Sequence, residues 1–306
     1  MSSARRPLPA RGGVRTNRLS PSGFGLGVAG IDLSRRDEAL ESWLLEAFHH
    51  SGGLLSISGQ DGLSPERLCE FVSRFGRLEK NEKYNPGFLL PDYPEILRIG
   101  NLKEGDAYRS LFVRADADPL LWHSDDSFRD PQPMGSCLYC VATPPEGGDT
   151  YFAGGIDAYR DYEADDRDRL ATLVAVHSYD YLNEFLRLSN PHRPPLSAAL
   201  KAKHPPVRRP LVARHPVSGE RGFYLPRCHI ESIEGMSRES SDELLDRLLD
   251  HTTSPAFRYR HRWRVGDLVF WDNRSALHAP SPFDDARYPR LMYRLTMEGE
   301  QIANSP

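Results

Sequence analysis

From about residue 108 onward the chain is cut into short apolar runs by proline, glycine and aspartate: Leu138–Thr143, Thr150–Ala153, Leu173–Tyr179, Val207–Ala213, Phe223–Leu225, Asp267–Trp271 and Arg290–Met297. Runs of this length bounded by turn residues read as strands. Many short strands in succession predict a jelly roll or other double-sheet β fold. One further helix is expected here, opened by the capping box Ser240-Ser241-Asp242-Glu243 and carrying Leu244, Leu245, Leu248 and Leu249 against the outside of the β core.

The N-terminal third reads as mixed α/β. Gly23–Leu33 is a glycine-punctuated strand, and Asp37–His50 sets Leu40, Trp43, Leu44 and Phe48 at helical spacing. Gly52–Ile57 follows as a buried strand. Ser64-Pro65-Glu66 is a cap with proline at the first helical position, opening a helix whose Leu68, Phe71, Val72 and Phe75 share a face until Gly76. Residues 1–22 carry Arg5, Arg6, Arg11, Arg15 and Arg18 with no acid before Asp32. Their proline and glycine content and missing apolar face predict a solvated, disordered arm rather than a transit peptide. Residues 23–306 are then expected to form a single domain.

A chain of 306 residues with 39% hydrophobic and 27% charged types can bury a substantial core. Its 39 Lys+Arg against 43 Asp+Glu leave a net charge of -4, which argues against a general binder of nucleic acid or membrane surfaces. There is no apolar run long enough to span a bilayer and no apolar segment of a secretory signal. Cys69, Cys137, Cys140 and Cys228 are too sparse for a disulfide scaffold, so a reducing, cytoplasmic setting is the simplest expectation. Cys137 and Cys140 read as strand residues rather than a redox pair, because positions i and i+3 fall on opposite faces. The stretch Phe185–Gly219 has seven Lys/Arg and no acid, and is either a cationic lid or an ordinary surface excursion. Oligomeric state is not written in the sequence, and a homo-oligomer is compatible with it.

The segment that carries chemistry is Leu121-Trp122-His123-Ser124-Asp125. In an extended chain His123 and Asp125 project to one face and can present an imidazole and a carboxylate to one metal ion. Such pairs arise easily by chance, so a third ligand is needed. His278 supplies a candidate at the end of Gly266-Asp267-Leu268-Val269-Phe270-Trp271-Asp272-Asn273-Arg274-Ser275-Ala276-Leu277-His278, an apolar strand and polar turn followed by a histidine. Two histidines and one carboxylate on a face form the triad that holds Fe(II) and leaves positions open. Arg290 and Arg294, four apart in a predicted strand, could each take a carboxylate in bidentate fashion.

These motifs resemble the taurine dioxygenase and 2,4-dichlorophenoxyacetate dioxygenase family of Fe(II)/2-oxoglutarate-dependent oxygenases. The resemblance runs from Gly27–Leu33 through Phe75-Gly76, Trp122–Asp125, Gly147-Gly148-Asp149-Thr150 and Trp271–Arg274 to Arg290–Arg294. It implies a double-stranded β-helix, a jelly-roll variant, with flanking helices. It also implies Fe(II) as the metal, 2-oxoglutarate and O2 as cosubstrates, His123, Asp125 and His278 as iron ligands, and Thr150 and Arg290 as the anchor for the distal carboxylate of 2-oxoglutarate. Arg294 matches an arginine that contacts an acidic substrate group in some members. His229 stands where the family often has an aromatic pocket residue. Tyr84, Trp122, Tyr179 and Tyr181 are further candidates for the pocket, each equally readable as core.

The implied reaction is hydroxylation of a small, anionic molecule such as an amino acid, carboxylate or sulfonate, with release of succinate and CO2. Desaturation, cyclisation or oxidative decarboxylation would use the same residues, whereas the presence of Asp125 disfavours a halogenase. Two readings of other classes are a zinc-type hydrolase on the same triad, which leaves Arg290 and Thr150 without a role, and a non-catalytic jelly-roll binding protein. His229-Ile230-Glu231 is a formal competing metal pair with no matching motif around it.

Overall fold

Eight strands hydrogen-bond into one large sheet in the spatial order Arg15–Arg18, Leu26–Ala29, Leu54–Ile57, Leu268–Asp272, Gly135–Ala142, Leu291–Met297, Tyr93–Gly100 and Leu89–Leu90. All neighbours are antiparallel except Leu26–Ala29 and Leu54–Ile57, which are parallel and joined through the helix Glu38–His50. The structure, a computed structural model, describes residues 11–81, 84, 86–101, 121–189 and 192–299. A three-stranded sheet, Arg258–His261, Thr150–Gly154 and Ala276–Pro280, lies against the large one. Phe152 and Ala276 from the small sheet pack with Leu54, Leu138, Cys140, Val269, Trp271 and Met292 from the large sheet in one apolar cluster. A second cluster joins the opposite face of the large sheet to the helices Glu38–His50 and Pro65–Val72. The third packs the helix Arg238–Thr252 over Ile230 and Ile233 of another three-stranded sheet, Ile230–Ile233, Val174–His177 and Val207–Pro210. The chain is thus mixed α/β and mainly β, with helices outside the sheets.

Local chemistry explains the element ends. The predicted cap at Ser64 forms, accepting from the Arg67 N–H with Pro65 in the first helical turn, and Asp37 caps the preceding helix in the same way by accepting from the Leu40 N–H. The second helix stops at Val72 rather than Gly76; Phe75 still reaches the core from the turns that follow. Cys137 and Tyr139 face the helices while Leu138 and Cys140 face the small sheet, as strand alternation requires. The four cysteines are free.

Three expectations need correction. Residues 1–10 of the expected disordered arm lie outside the described residues, but Arg15–Arg18 is a strand paired with Leu26–Ala29. All four of its side chains are exposed, so its order comes from backbone hydrogen bonds and left no apolar signal. The helix Arg238–Thr252 is capped by Ser237, not by the Ser240 box; Ser241 is buried inside it and accepts from the Ile233 N–H. The region read as strands with one helix also holds the helices Gly155–Asp161, Ala164–Leu170, Tyr179–Ser189 and Ala198–Lys203. Two of these, with the strands Val207–Pro210 and Val212–Arg214, account for much of Phe185–Gly219. Its Arg209 is 5% exposed and donates to the Ser127 carbonyl at 2.8 Å, which ties the stretch to the body of the protein. No helix among the described residues is long and apolar enough to cross a membrane.

Candidate active site

His123 and His278 meet because their backbones pair. The His123 N–H donates to the His278 carbonyl at 2.9 Å and the His278 N–H donates back at 2.8 Å. A reciprocal antiparallel pair sends both side chains to the same face, and the imidazole centroids lie 4.0 Å apart. Asp125, two residues on, brings Oδ1 to 3.9 Å from His123 Nε2 and 3.7 Å from His278 Nε2. One ligand atom from each residue lies within 4.8 Å of the others. Among the described residues this is the only cluster of three or more such groups, and His229 with Glu231 forms none.

The neighbours of the triad set which atoms face its centre. Asp125 Oδ2 accepts from Ser136 Oγ at 2.7 Å and pairs with Arg294 at 3.1 Å, leaving Oδ1 for the imidazoles. His123 Nδ1 lies 2.9 Å from the Leu121 carbonyl; only a protonated Nδ1 makes that bond, so the Nε2 lone pair points inward. Burial opposes ionisation of Asp125, but Arg294 and then the two imidazoles outweigh it and hold the carboxyl well below its usual range. His278 is pushed well below the ordinary imidazole value, by burial first and His123 second, which keeps it neutral. Two imidazoles beside an ionised carboxylate, each Nε2 beyond hydrogen-bonding distance of Asp125 Oδ1, suit a divalent cation. With three donors rather than four, the set matches an open catalytic site and not a closed structural one.

The Trp271–Arg274 motif acts as the brace. Asn273 accepts from the Asp125 N–H at 3.2 Å and from Trp271 Nε1 at 3.1 Å, while Asp272, fully buried, is gripped by Arg274 through both oxygens and by His215 at 3.0 Å. Gln132 donates to the Asp125 carbonyl at 3.1 Å. Ser136, Gln132 and Asn273 were not singled out from sequence. Asn273 lies in the Trp271–Arg274 motif, but Ser136 carries no local signal, since only strand register brings it beside Asp125. Replacing Ser136 with Ala removes one of two groups orienting the carboxylate and is expected to weaken Mn(II) binding about tenfold or more. Isothermal titration would check this, and unchanged affinity would contradict it.

Arg290 reaches the turn that leads into the strand opened by Thr150. Thr150 pairs in register with Pro280 and Phe152 with His278, so Thr150 sits two residues along the same strand face as Phe152, whose ring lies 6.2 Å from that of His278. Arg290 Nε donates to the Gly148 carbonyl at 3.1 Å, two residues before Thr150. Gly148 has φ +66, and a Cβ there would lie 3.3 Å from Arg290 Cδ, so glycine serves both the turn and the close approach. Arg290 is 7% exposed, and no carboxylate among the described residues forms an ion pair with it. Burial lowers its pKa to about 10. The Thr150 hydroxyl accepts from Trp263 Nε1 at 3.0 Å.

The remaining predicted residues divide. Arg294 lies at the triad but is paired with Asp125, and Tyr84 is near enough to act on it electrostatically. His229 stands 6.3 Å from His123, ring to ring, and is 3% exposed. Trp122 is buried in the core cluster that includes Ala153, Leu277 and Ala279, edge-on to Tyr151, because it alternates with His123 along an extended segment. The Tyr181 hydroxyl is taken by Arg227 at 3.3 Å and Arg238 at 3.0 Å, so it belongs to a surface cluster rather than to the triad. Tyr179 stacks near Phe128, which in turn contacts His229.

The family model "Taurine catabolism dioxygenase TauD, TfdA family" matches residues 15–296. The chain is 34% identical over 292 residues to an alpha-ketoglutarate-dependent 2,4-dichlorophenoxyacetate dioxygenase of Cupriavidus pinatubonensis, covering 93% of this chain and 98% of that protein. It is 30% identical over 292 residues to an (S)-phenoxypropionate/alpha-ketoglutarate-dioxygenase of Sphingobium herbicidovorans, covering 92% and 94%. A solved structure of AAD-2 in complex with Mn(II) and N-oxalylglycine superposes with a TM-score of 0.76 at 27% identity, covering 95% of this chain and 99% of that one. With a family model matching nearly its whole described length, the chain belongs to the TauD/TfdA family of dioxygenases.

Proposed function

We propose that this protein is an Fe(II)- and 2-oxoglutarate-dependent oxygenase that oxidises a C–H bond of a small anionic molecule, with hydroxylation as the default outcome. The observation that carries the reading is the pairing of an open triad, His123, Asp125 and His278, with a buried arginine, Arg290, that has no carboxylate partner among the described residues. A zinc-type hydrolase would leave Arg290 and Thr150 without a role, and a binding protein would leave the triad without one. We read the two facing sheets as a double-stranded β-helix, and residues 23–306 as one catalytic domain.

In this reading His123, Asp125 and His278 hold the iron, and Fe(II) with 2-oxoglutarate and O2 supplies the oxidising chemistry that yields succinate, CO2 and the oxidised product. Arg290 receives the distal carboxylate of 2-oxoglutarate, with Thr150 beside it. A guanidinium already buried gives up little further hydration on binding, and its planar fork fixes the acid's direction. Ser136 and Arg294 keep the Asp125 carboxylate from rotating. Arg294 and His229 face the space for substrate, where a cation and a neutral imidazole favour an acid. Relatives named for phenoxyacetate and phenoxypropionate support that class.

A panel of small carboxylates and sulfonates, each beside its uncharged amide or ester analogue, tests the substrate class. Acids are expected to stimulate succinate release in the presence of Fe(II) while the neutral analogues do not. Equal stimulation by the neutral compounds would refute the anionic reading without touching the reaction class.

A further inference from the structure

The loop that delivers Arg290 is held by one side chain from another strand. Residues 281–289 leave the strand Ala276–Pro280, which carries His278, and return at Arg290, one residue before the strand Leu291–Met297. Asn101, directly after the strand Tyr93–Gly100, grips this return. Its Oδ1 accepts from the Arg290 N–H at 2.7 Å, and its Nδ2 donates to the Asp285 carbonyl at 2.7 Å and the Tyr288 carbonyl at 2.9 Å. The backbone adds a fourth bond, from the Asn101 N–H to the Arg290 carbonyl at 3.0 Å. Gly100 permits the approach: it pairs in register with Leu291, and a Cβ there would overlap the Arg290 carbonyl.

The chemistry of the carboxamide decides this arrangement. The Arg290 N–H needs an acceptor and the two carbonyls need donors, so a single orientation of the Asn101 amide serves all three. Aspartate would set oxygen against the carbonyls, and serine has one proton for the two of them. The start of the loop is tied down separately. The Ser281 N–H donates to the Asp149 carbonyl at 2.9 Å, Ser281 Oγ accepts from the Asp149 N–H at 2.8 Å, and the Gly148 N–H donates to the Pro282 carbonyl at 3.0 Å. From residue 285 to the main chain of Arg290, the loop's hydrogen bonds to the rest of the protein all end on Asn101 among the described residues. The Arg290 side chain then reaches back to the Gly148 carbonyl through Nε. Its guanidinium is therefore fixed between a main chain held by Asn101 and a turn held by the start of the same loop.

We propose that Asn101 is a positioning residue for 2-oxoglutarate: by fixing the main chain of Arg290 it sets where the guanidinium meets the distal carboxylate. The inference rests on the role given to Arg290 in the function proposed above. A forked contact between guanidinium and carboxylate is directional, so a small displacement of the Arg290 main chain costs affinity for the acid. The metal ligands stand on other segments, and Asn101 forms no hydrogen bond with them among the described residues.

The test is the affinity of the protein for 2-oxoglutarate, measured by isothermal titration without O2 after loading with Mn(II), together with steady-state kinetics on the Fe(II) form. Asn101→Ala is expected to bind 2-oxoglutarate about tenfold more weakly than wild type. Asn101→Ser, whose single hydroxyl cannot span the three groups, should move the same way by less, and it keeps the inference testable where the alanine variant fails to fold. Affinity for Mn(II) should stay within about twofold of wild type, and KM for 2-oxoglutarate should rise while kcat at saturating cosubstrate stays within about twofold. In an Arg290→Ala background, Asn101→Ala should change 2-oxoglutarate affinity by less than about twofold, because no guanidinium remains to be misplaced. Normal 2-oxoglutarate affinity in the Asn101 variants, beside a large loss in Arg290→Ala, would overturn the positioning role alone. The same tenfold loss with Arg290 present or absent, or a fall in kcat at unchanged KM, would show a general loosening instead and also overturn it. Wild-type affinity in Arg290→Ala would overturn the anchor itself and the inference with it.

Discussion

Arg290→Ala is expected to raise the apparent KM for 2-oxoglutarate by at least about thirtyfold while kcat at saturating cosubstrate changes far less. The estimate follows from truncating one member of a buried charge pair, which costs about 2 kcal/mol or more. Arg290 is buried; among the described residues its guanidinium donates to the Gly148 carbonyl and forms no ion pair. A guanidinium in that state is a cost to the free protein that a bound carboxylate offsets. Hence a second expectation for the same variant: a hundredfold excess of 2-oxoglutarate over its Kd stabilises the wild type by about 2.7 kcal/mol, and the variant gains almost nothing at that concentration. Steady-state kinetics and thermal unfolding with and without cosubstrate read the two effects. A variant with normal KM and normal stabilisation would show that the distal carboxylate binds elsewhere.

His123→Ala should cut succinate formation by more than about a hundredfold, because loss of a ligand exceeds the tenfold to hundredfold cost usual for an outer partner. It is also the cleanest ligand to remove. Its side chain keeps 20% exposure, and its one side-chain hydrogen bond is to a backbone carbonyl, so metal-free stability should stay within about 1 kcal/mol of wild type. Asp125→Ala behaves differently. It leaves Arg294 buried without its partner and Ser136 without its acceptor, and breaking such a pair costs about 3–5 kcal/mol. Urea unfolding of both variants alongside the activity assay separates loss of the site from loss of the fold. Equal destabilisation by the two substitutions would contradict the role given to Arg294.

The elements that were legible in the sequence are those whose signal is local. The apolar run Leu138–Thr143, the helical spacing of Asp37–His50 and the cap at Ser64 each lie within a few residues, and the structure follows them with the strand Gly135–Ala142 and the helices Glu38–His50 and Pro65–Val72. The triad was legible for a mixed reason: His123 and Asp125 share a face by spacing, whereas His278 needed a distant motif. What sequence could not give was register. The reciprocal backbone pair of His123 with His278, and the placing of Ser136 beside Asp125, depend on how separate strands align. The Tyr179–Ser189 helix was missed although Tyr179, Leu182, Phe185 and Leu186 recur at helical spacing, because its first turn adjoins the predicted strand Leu173–Tyr179. Arg15–Arg18 was missed because an exposed edge strand is held by its backbone alone. Tyr181 and Trp122 illustrate the limit for aromatic residues, since an aromatic near a motif is drawn to core or surface by neighbours that spacing does not reveal.

The most direct test of the account is succinate production by the purified protein given Fe(II), 2-oxoglutarate, O2 and a small acid such as phenoxyacetate, measured against an iron-free control and against His123→Ala. The account predicts succinate that requires iron, rises with an accepted acid and disappears in the variant. No succinate above the iron-free control across a panel of carboxylates and sulfonates, from protein that binds Fe(II), would contradict it.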